Sequence, residues 1–422
     1  MTVRIFQNRY PANWLVAVFL AIVALASSGC NEKQSVVGNN LLSDTLQLTS
    51  INSSDSLPLI VGSSSFSKHI SLSGIGYVFI GQSGTTKSFT LSRLSVPDSV
   101  PDITVADIVS VKMFITPSNP YYAFGDTTSN QLSFTVYKVA KLWGTTATLD
   151  TITPISDFID KSKQLAKYDG IIPLKDSTGA ISIDFDKELI IEWFALRKQF
   201  GKENDSLNYG IAFYPNDNST VIRRFASGAV GSEDSVQFAE LQITYRKPAE
   251  DTNKVIRMLS AYDGTYTDSP APTDKSITIQ GVSAIHSQIN FDVSAIPKGV
   301  AVHLAGLTIT MDPTRSISGT AGIDPTIYAE FIDSTSNNLL RQYYGSRLKD
   351  ASGNYTNEYF FPNLNSALEA MVRRNGTGTI TLQTQPANYT DRLDKFVFFD
   401  SQASDSTKRP RLTVVYSTRP KF

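Results

Sequence analysis

Few side chains in this 422-residue sequence stand at the spacings that catalysis needs. The G-x-S-x-G, H-E-x-x-H, Walker and G-x-G-x-x-G motifs do not occur. Two aspartate pairs could supply the two carboxylates of a glycosidase, but helix capping or exposure in a turn is the expected role of each. These pairs are Asp184 with Asp186 and Asp391 with Asp394. We therefore predict a protein that is not an enzyme and has no catalytic residue.

The three histidines lack the spacing of metal ligands and stand in separate strand-like contexts, which favours surface or edge positions. They are His69, His286 and His303. No acidic loop has the ligand spacing of a dedicated calcium site. The sequence thus predicts no metal and no cofactor.

Cys30 is the only cysteine, so the chain cannot form an internal disulfide. Before it come a basic start with Arg4 and Arg9, an apolar run over residues 14–26, and three small residues. This order predicts a secretory signal peptide over residues 1–29. The apolar run is short for a membrane span, although a buried helix or a retained membrane anchor is the alternative.

Ser-Ser-Gly directly before Cys30 resembles the lipobox of bacterial lipoproteins, with Ser27 where leucine is usual. The resemblance implies that the Cys30 thiol carries a diacyl lipid and that a membrane is a partner. Two acyl chains anchor firmly, since each buried methylene contributes about 0.8 kcal/mol. Asn31 is not the aspartate that resembles an inner-membrane retention signal, so we predict the outer membrane, in either leaflet. The polar residues 30–49 are predicted to be a lipidated tether.

Composition favours a well-cored globular body, with 41% hydrophobic and 18% charged residues. A formal net charge of −1 and a pI of about 6.3 provide no basic face for nucleic acid. We therefore expect no nucleic-acid partner.

Aromatic residues on the loop over residues 119–124 are the first candidate for ligand binding. Tyr121, Tyr122 and Phe124 could stack on sugar rings or anchor a protein partner. In the alternative, they cover the end of a core. Tyr343 and Tyr344 are a second candidate, with ordinary strand positions as their alternative.

The predicted strands and helix that carry these residues occur in the same order in both halves of the chain. Each half contains period-2 strand patterns around one short amphipathic helix. In the first half they are residues 89–116, 132–139, the helix face of Leu189, Trp193 and Leu196, then 209–215, 225–227 and 241–245. In the second they are residues 286–310, 326–332, the helix face of Leu364, Leu368 and Met371, then 378–386, 399–401 and 412–416.

This repeat predicts an all-β chain made of two tandem, jelly-roll-like β-sandwich domains, each with one short helix, after a lipoprotein signal peptide. The polar stretch 247–254 is the predicted linker. The predicted domains span residues 50–247 and 254–418.

The order of motifs in the first half resembles the DNRLRE-type domain, and the second half matches it less closely. The matching residues are 134–137, Trp143, Trp193, 208–210, 225–227 and 241–245. The resemblance implies a jelly-roll sandwich of secreted proteins, similar in some members to carbohydrate-binding modules. Residues 122–128 and their surroundings also resemble a family of bacterial lipoproteins of unknown function.

The main functional expectation is a cell-envelope lipoprotein that binds glycan or mediates surface adhesion. Its partner would be a cell-envelope or extracellular polysaccharide. The alternative is a structural or assembly lipoprotein that binds an envelope protein. A shallow aromatic surface on one sandwich face would favour glycan, whereas a broad apolar patch would favour protein.

Overall fold

The computed structural model describes most of the chain after residue 47. The described ranges are 48–53, 57–201, 207–227, 238–282, 285–332, 339–374, 376–385 and 390–418. The predicted signal peptide, Cys30 and nearly all of the predicted tether lie outside these ranges. The described part is all-β, with two α-helices, so the predicted fold class is confirmed.

Alternating apolar and polar residues produce 22 strands in the described ranges. The first thirteen are β1 Leu48–Asn52, β2 Ile60–Ser67, β3 Tyr77–Ser83, β4 Thr86–Leu94, β5 Ile108–Ile115, β6 Ala123–Gly125, β7 Gln131–Val139, β8 Ile159–Ile171, β9 Ile181–Asp184, β10 Ile211–Pro215, β11 Val221–Ala226, β12 Ala239–Tyr245 and β13 Lys254–Asp268. The others are β14 Ile277–Gln280, β15 Ile285–Asp292, β16 Ala301–Thr310, β17 Thr326–Ile332, β18 Leu339–Lys349, β19 Tyr355–Phe361, β20 Thr377–Thr384, β21 Lys395–Phe398 and β22 Arg411–Ser417.

The strands form two antiparallel networks of eleven strands each, and each network is one sandwich. The two sandwiches are called the N-terminal module and the C-terminal module. The N-terminal module has the order β6-β11-β3-β4-β13-β12-β5-β9, with β10 between β4 and β7 and with β8 beyond β7. The C-terminal module has the order β1-β22-β16-β19-β18-β17-β20-β15-β14-β21, with β2 beside β15. Each module encloses its own large apolar core.

One amphipathic helix packs on the core of each module. Helix α1, Lys187–Phe200, begins where the Asp186 carboxylate accepts a hydrogen bond from the backbone N–H of Leu189 (3.0 Å). It buries Trp193 in the N-terminal core. Helix α2, Asn365–Arg373, packs in the C-terminal module in the same way.

The two modules exchange their first strands. β13 follows the predicted linker, yet it pairs with β12 and, after a bulge, with β4 of the N-terminal module. Conversely, β1 pairs with β22 and β2 pairs with β15 in the C-terminal module. β1 and β2 therefore occupy the place in one sandwich that β13 occupies in the other. The domain bounds remain a prediction. In the structure, strand pairing crosses the predicted linker in both directions.

Candidate functional site

The first predicted aromatic loop lies where the two modules meet. Tyr122 and Phe124 are each only 1% exposed. The Tyr122 ring packs edge-on against Phe79, with ring centroids 6.1 Å apart, in an apolar cluster that also contains Val282 and Leu393. These two rings therefore join the modules and offer no free face to a sugar. Their geometry fits the alternative in which the loop covers the end of a core.

A buried polar network fixes Tyr122 at this junction. Its hydroxyl donates to Asp394 Oδ1 (2.9 Å) and accepts from the backbone N–H of Leu393 (2.8 Å). The backbone N–H of Gly319 also donates to Asp394 Oδ1 (2.6 Å). Burial, and then the neighbouring Asp394, raises the pKa of Tyr122 well above its usual value. The helix-cap or exposed turn position predicted for Asp394 is therefore wrong, because its carboxylate is buried at the junction.

Arg224 also links the modules, through Asp391, while its other contacts lie within the N-terminal module. Its guanidinium donates to the backbone oxygens of Asp391 (2.9 Å) and Pro120 (2.7 Å). It also lies 4.1 Å from the centroid of the Tyr77 ring. Burial lowers the pKa of Arg224. These contacts are structural, because the guanidinium is occupied by groups of the protein itself.

Tyr121 is the one member of the predicted loop site that is not fully buried. It is half-buried, and its backbone N–H donates to Asp176 Oδ1 (2.7 Å). The structure does not bring its ring together with those of Tyr122 and Phe124 on one open surface. A ligand-binding role for Tyr121 stays a prediction.

The second predicted candidate lies on β18 of the C-terminal module. Strand alternation points Tyr343 inward, where it is 7% exposed and its hydroxyl lies 3.0 Å from Ser366 Oγ. Tyr344 points outward and is 51% exposed. Gly345 faces inward again, since a Cβ there would meet the Phe361 ring at 2.5 Å. One residue of the pair is thus structural and the other is available to a ligand.

Tyr344 belongs to a diagonal line of three rings, here called the aromatic row. Tyr328 on β17 stands directly opposite Tyr344, with ring centroids 5.3 Å apart at an interplanar angle of 61°. Phe360 on β19 is opposite Ser346, which makes it the diagonal neighbour of Tyr344 on the same face. Its ring covers Gly306, where a Cβ would come within 2.7 Å of the ring. The row crosses β17, β18 and β19 on the outer face of the sheet, where Tyr328 is buried (1% exposed), Phe360 is half-buried and Tyr344 is the exposed ring.

Polar side chains surround the aromatic row. Gln342 is exposed beside Tyr344 and stands opposite Glu330. Burial, and then Glu330 and Tyr344, raises the pKa of Tyr328 to about 12, so this phenol stays protonated at neutral pH. Near the other end of the row, Arg411 and Glu358 form an ion pair at 2.5 Å. The face thus combines an exposed ring with the amide of Gln342 and the carboxylate of Glu330, which can bind hydroxyls, while Arg411 and Glu358 are paired with each other.

The remaining chemistry-bearing residues have structural partners. Asp186 caps α1, and Asp184 forms an exposed ion pair with Lys112 at 2.6 Å. His286 is buried, contrary to the expected surface or edge position, and burial lowers its pKa to about 4. Trp143 is also buried, and its indole N–H donates to the backbone oxygen of Tyr209 (2.8 Å).

Among the residues that the structure describes, no group of three or more His, Cys, Asp or Glu side chains is placed to hold a metal ion. In the same part of the chain, no helix has the length and apolar character needed to cross a membrane.

Comparison with known proteins yields no relative in sequence. No family model matches the chain, and no curated protein matches it. Among solved structures, the infectious bursal disease virus VP2 subviral particle is 8% identical, over 90% of this chain and 79% of that chain, with a TM-score of 0.14. The structure of the infectious bursal disease virus Gt strain is 10% identical, with the same coverage and a TM-score of 0.12. At such TM-scores these likenesses carry no argument about function.

Proposed function

We propose that this protein is a non-catalytic, lipid-anchored envelope protein that binds glycan through the aromatic row of its C-terminal module. The observation that carries the proposal is Tyr344, a 51% exposed ring on a strand in the middle of a polar face. A sugar ring has an apolar face that stacks on an aromatic ring, and its hydroxyls need hydrogen-bonding partners. The aromatic row provides the ring for stacking, and its polar neighbours provide the hydrogen-bonding partners.

The position of Tyr344 reduces the entropic cost of binding. β18 pairs with β17 at Tyr344 itself and with β19 from Ser346 onward, which holds the strand that carries Tyr344 in place. Tyr328 packs against one side of the ring and limits its rotation. A ring that is already ordered loses little conformational freedom when a ligand binds.

The lipid anchor at Cys30 is part of the same proposal. The first described strand after it, β1, begins at Leu48 and belongs to the C-terminal module. The stretch from Cys30 to Leu48 can reach at most about 60 Å when fully extended. An acylated Cys30 would therefore hold the aromatic row close to the outer membrane, within reach of envelope polysaccharide.

A glycan array probed with the soluble body from Leu42 onward tests the proposal. We expect a defined set of polysaccharide fragments to bind, and the signal to disappear for Tyr344→Ala. Tyr121→Ala should leave the signal in place, because Tyr121 lies in the N-terminal module, where its backbone N–H donates to Asp176. A blank array, together with recovery of an envelope protein by pull-down, would instead support the alternative of a structural or assembly lipoprotein.

A further inference from the structure

Five polar side chains stand in one straight line beside the aromatic row. They are Gln342 on β18, Glu330 on β17, Thr381 on β20, Gln288 on β15 and Ser64 on β2, and each is directly opposite the next. Neighbouring strands lie about 4.8 Å apart, so this line, here called the polar row, is about 19 Å long. The polar row therefore extends well beyond a single sugar ring stacked on Tyr344.

Strand alternation turns the polar row to the outer face of the sheet. Ile289 and Ile380, which are next in sequence to two members of the row, point into the C-terminal core. Gln342 and Ser64 at the two ends are exposed, and the members between them are half-buried or, at Thr381, 8% exposed. Because threonine is shorter than the glutamate and the glutamine beside it, the row is a shallow trough that is lowest at this position.

The polar row offers the hydrogen bonds that sugar hydroxyls need. An amide or a hydroxyl can both donate and accept, and a carboxylate can accept. Glu330 is the one charged member of the row. Within the described ranges, the side-chain amides of Gln288 and Gln342 form no hydrogen bond with another group of the protein. These amides are therefore available to a ligand.

Tyr344 connects the aromatic row with the polar row. It stands two residues after Gln342 on β18, on the same face of the sheet. On the other side of Tyr344, Arg411 and Glu358 already bind each other. A glycan stacked on Tyr344 therefore finds available amides in the direction of β15 and an internal ion pair in the direction of β22.

A cleft of about 340 Å³ lies beside the far part of the polar row. It is lined by Val61, by the end of α2, and by Asn290 and Thr379, the next outward residues on β15 and β20. The Thr379 hydroxyl donates to Asn290 Oδ1 (2.9 Å). Val61 is 52% exposed and can contact the apolar face of a sugar ring. The far end of the row thus has room for a further sugar unit.

We propose that the protein binds several consecutive sugar units of a polysaccharide, which crosses the strands of the C-terminal module from Tyr344 along the polar row to the cleft beside Val61. This longer site depends on the proposed glycan binding by Tyr344, and it adds the length and the direction of the bound chain. Gln288 is three strands from Tyr344, or about 14 Å, so a ligand must span several units to contact both.

Calorimetric titration with fragments of increasing length tests the proposal. The probes are fragments of two, four and six sugar units, prepared from the polysaccharide that gives the strongest signal on the glycan array. We expect the six-unit fragment to bind at least about tenfold more tightly than the two-unit fragment. Gln288→Ala should weaken binding of the six-unit fragment about threefold to tenfold, as expected for one lost hydrogen bond, and should leave binding of the two-unit fragment unchanged.

Gln402→Ala is the matched control, because Gln402 is an exposed glutamine of the same module that lies after β21 and outside the polar row. It should leave the affinity for every fragment unchanged. Equal affinities for the two-unit and six-unit fragments, or full affinity of Gln288→Ala for the six-unit fragment, would overturn the longer site, even where Tyr344→Ala still abolishes binding. Unchanged binding in Tyr344→Ala would overturn the glycan site itself, and the longer site with it.

Discussion

Met258 and Met311 provide a matched test of the strand exchange. Both follow the predicted linker in sequence, and both side chains are 0% exposed. Met258 lies on β13 in the core of the N-terminal module, whereas Met311 lies after β16 in the core of the C-terminal module. Replacing a buried methionine by alanine removes packing and leaves a cavity, at a cost of about 2–5 kcal/mol. Met258→Ala should therefore lower the free energy of unfolding of the N-terminal module.

Tryptophan fluorescence during urea unfolding reports on that module alone. The soluble body from Leu42 onward keeps only Trp143 and Trp193, which are both buried in the N-terminal module. With a urea m-value of about 1–3 kcal/mol/M, a loss of about 3 kcal/mol lowers the midpoint by roughly 1–3 M.

Met311→Ala is the control, because the same chemical change is made in the other core. It should leave the fluorescence transition in place and lower the stability only of the C-terminal module. No shift of the fluorescence midpoint with Met258→Ala would refute the placement of β13 in the N-terminal core.

Three further predictions concern the junction, a buried carboxyl and the anchor. Tyr122→Phe removes the hydroxyl that bridges Asp394 and Leu393, so thermal or urea unfolding should show a loss of about 1–3 kcal/mol, and a loss below about 0.5 kcal/mol would contradict the network. Burial raises the pKa of Asp263 to about 6, above its ordinary value of 3.8, so the folded state binds this proton more tightly and its contribution to stability falls as pH rises from about 4 to 6. Asp263→Asn should remove that fall in the tryptophan-monitored transition, and an unchanged pH profile would argue against the assignment. Cys30→Ala should release the protein from the membrane fraction, whereas undiminished membrane association would contradict the lipid anchor.

Local patterns in the sequence predicted both helices and part of the strands, whereas β3, β8 and β13, for example, were not predicted. The predicted strand at residues 326–332 coincides with β17, and the one at residues 132–139 differs from β7 by a single residue. The helix faces of Trp193 and Leu368 also lie in the cores as expected. Periodicity succeeds here because it reports which side of an element is buried.

The strand partners could not be predicted in the same way. A period-2 pattern shows which face of β13 is apolar, but it is equally compatible with either sandwich as the partner. The exchange of β13 with β1 and β2 depends on contacts between distant parts of the chain. Only the three-dimensional arrangement reveals it.

The sequence predicted the tyrosines of the candidate sites but not which of them are exposed, because exposure also depends on contacts between distant parts of the chain. The alternation from Tyr343 to Gly345 implies that one tyrosine faces inward, but not which of the two does so. Tyr122 was open to two interpretations, and the residue that decides its role, Asp394, is 272 positions away. The sequence around Tyr122 and the sequence around Asp394 give no local indication that the two side chains are in contact.

Calorimetric titration with the strongest glycan fragment from the array measures whether the aromatic row binds glycan. Tyr344 is 51% exposed and Tyr355, at the start of β19 in the same module, is 49% exposed, so alanine substitutions at the two positions are closely matched. We predict that Tyr344→Ala weakens binding at least about tenfold, or 1.4 kcal/mol, while Tyr355→Ala leaves the Kd unchanged. Equal affinities for the wild-type body and Tyr344→Ala would contradict glycan binding through Tyr344.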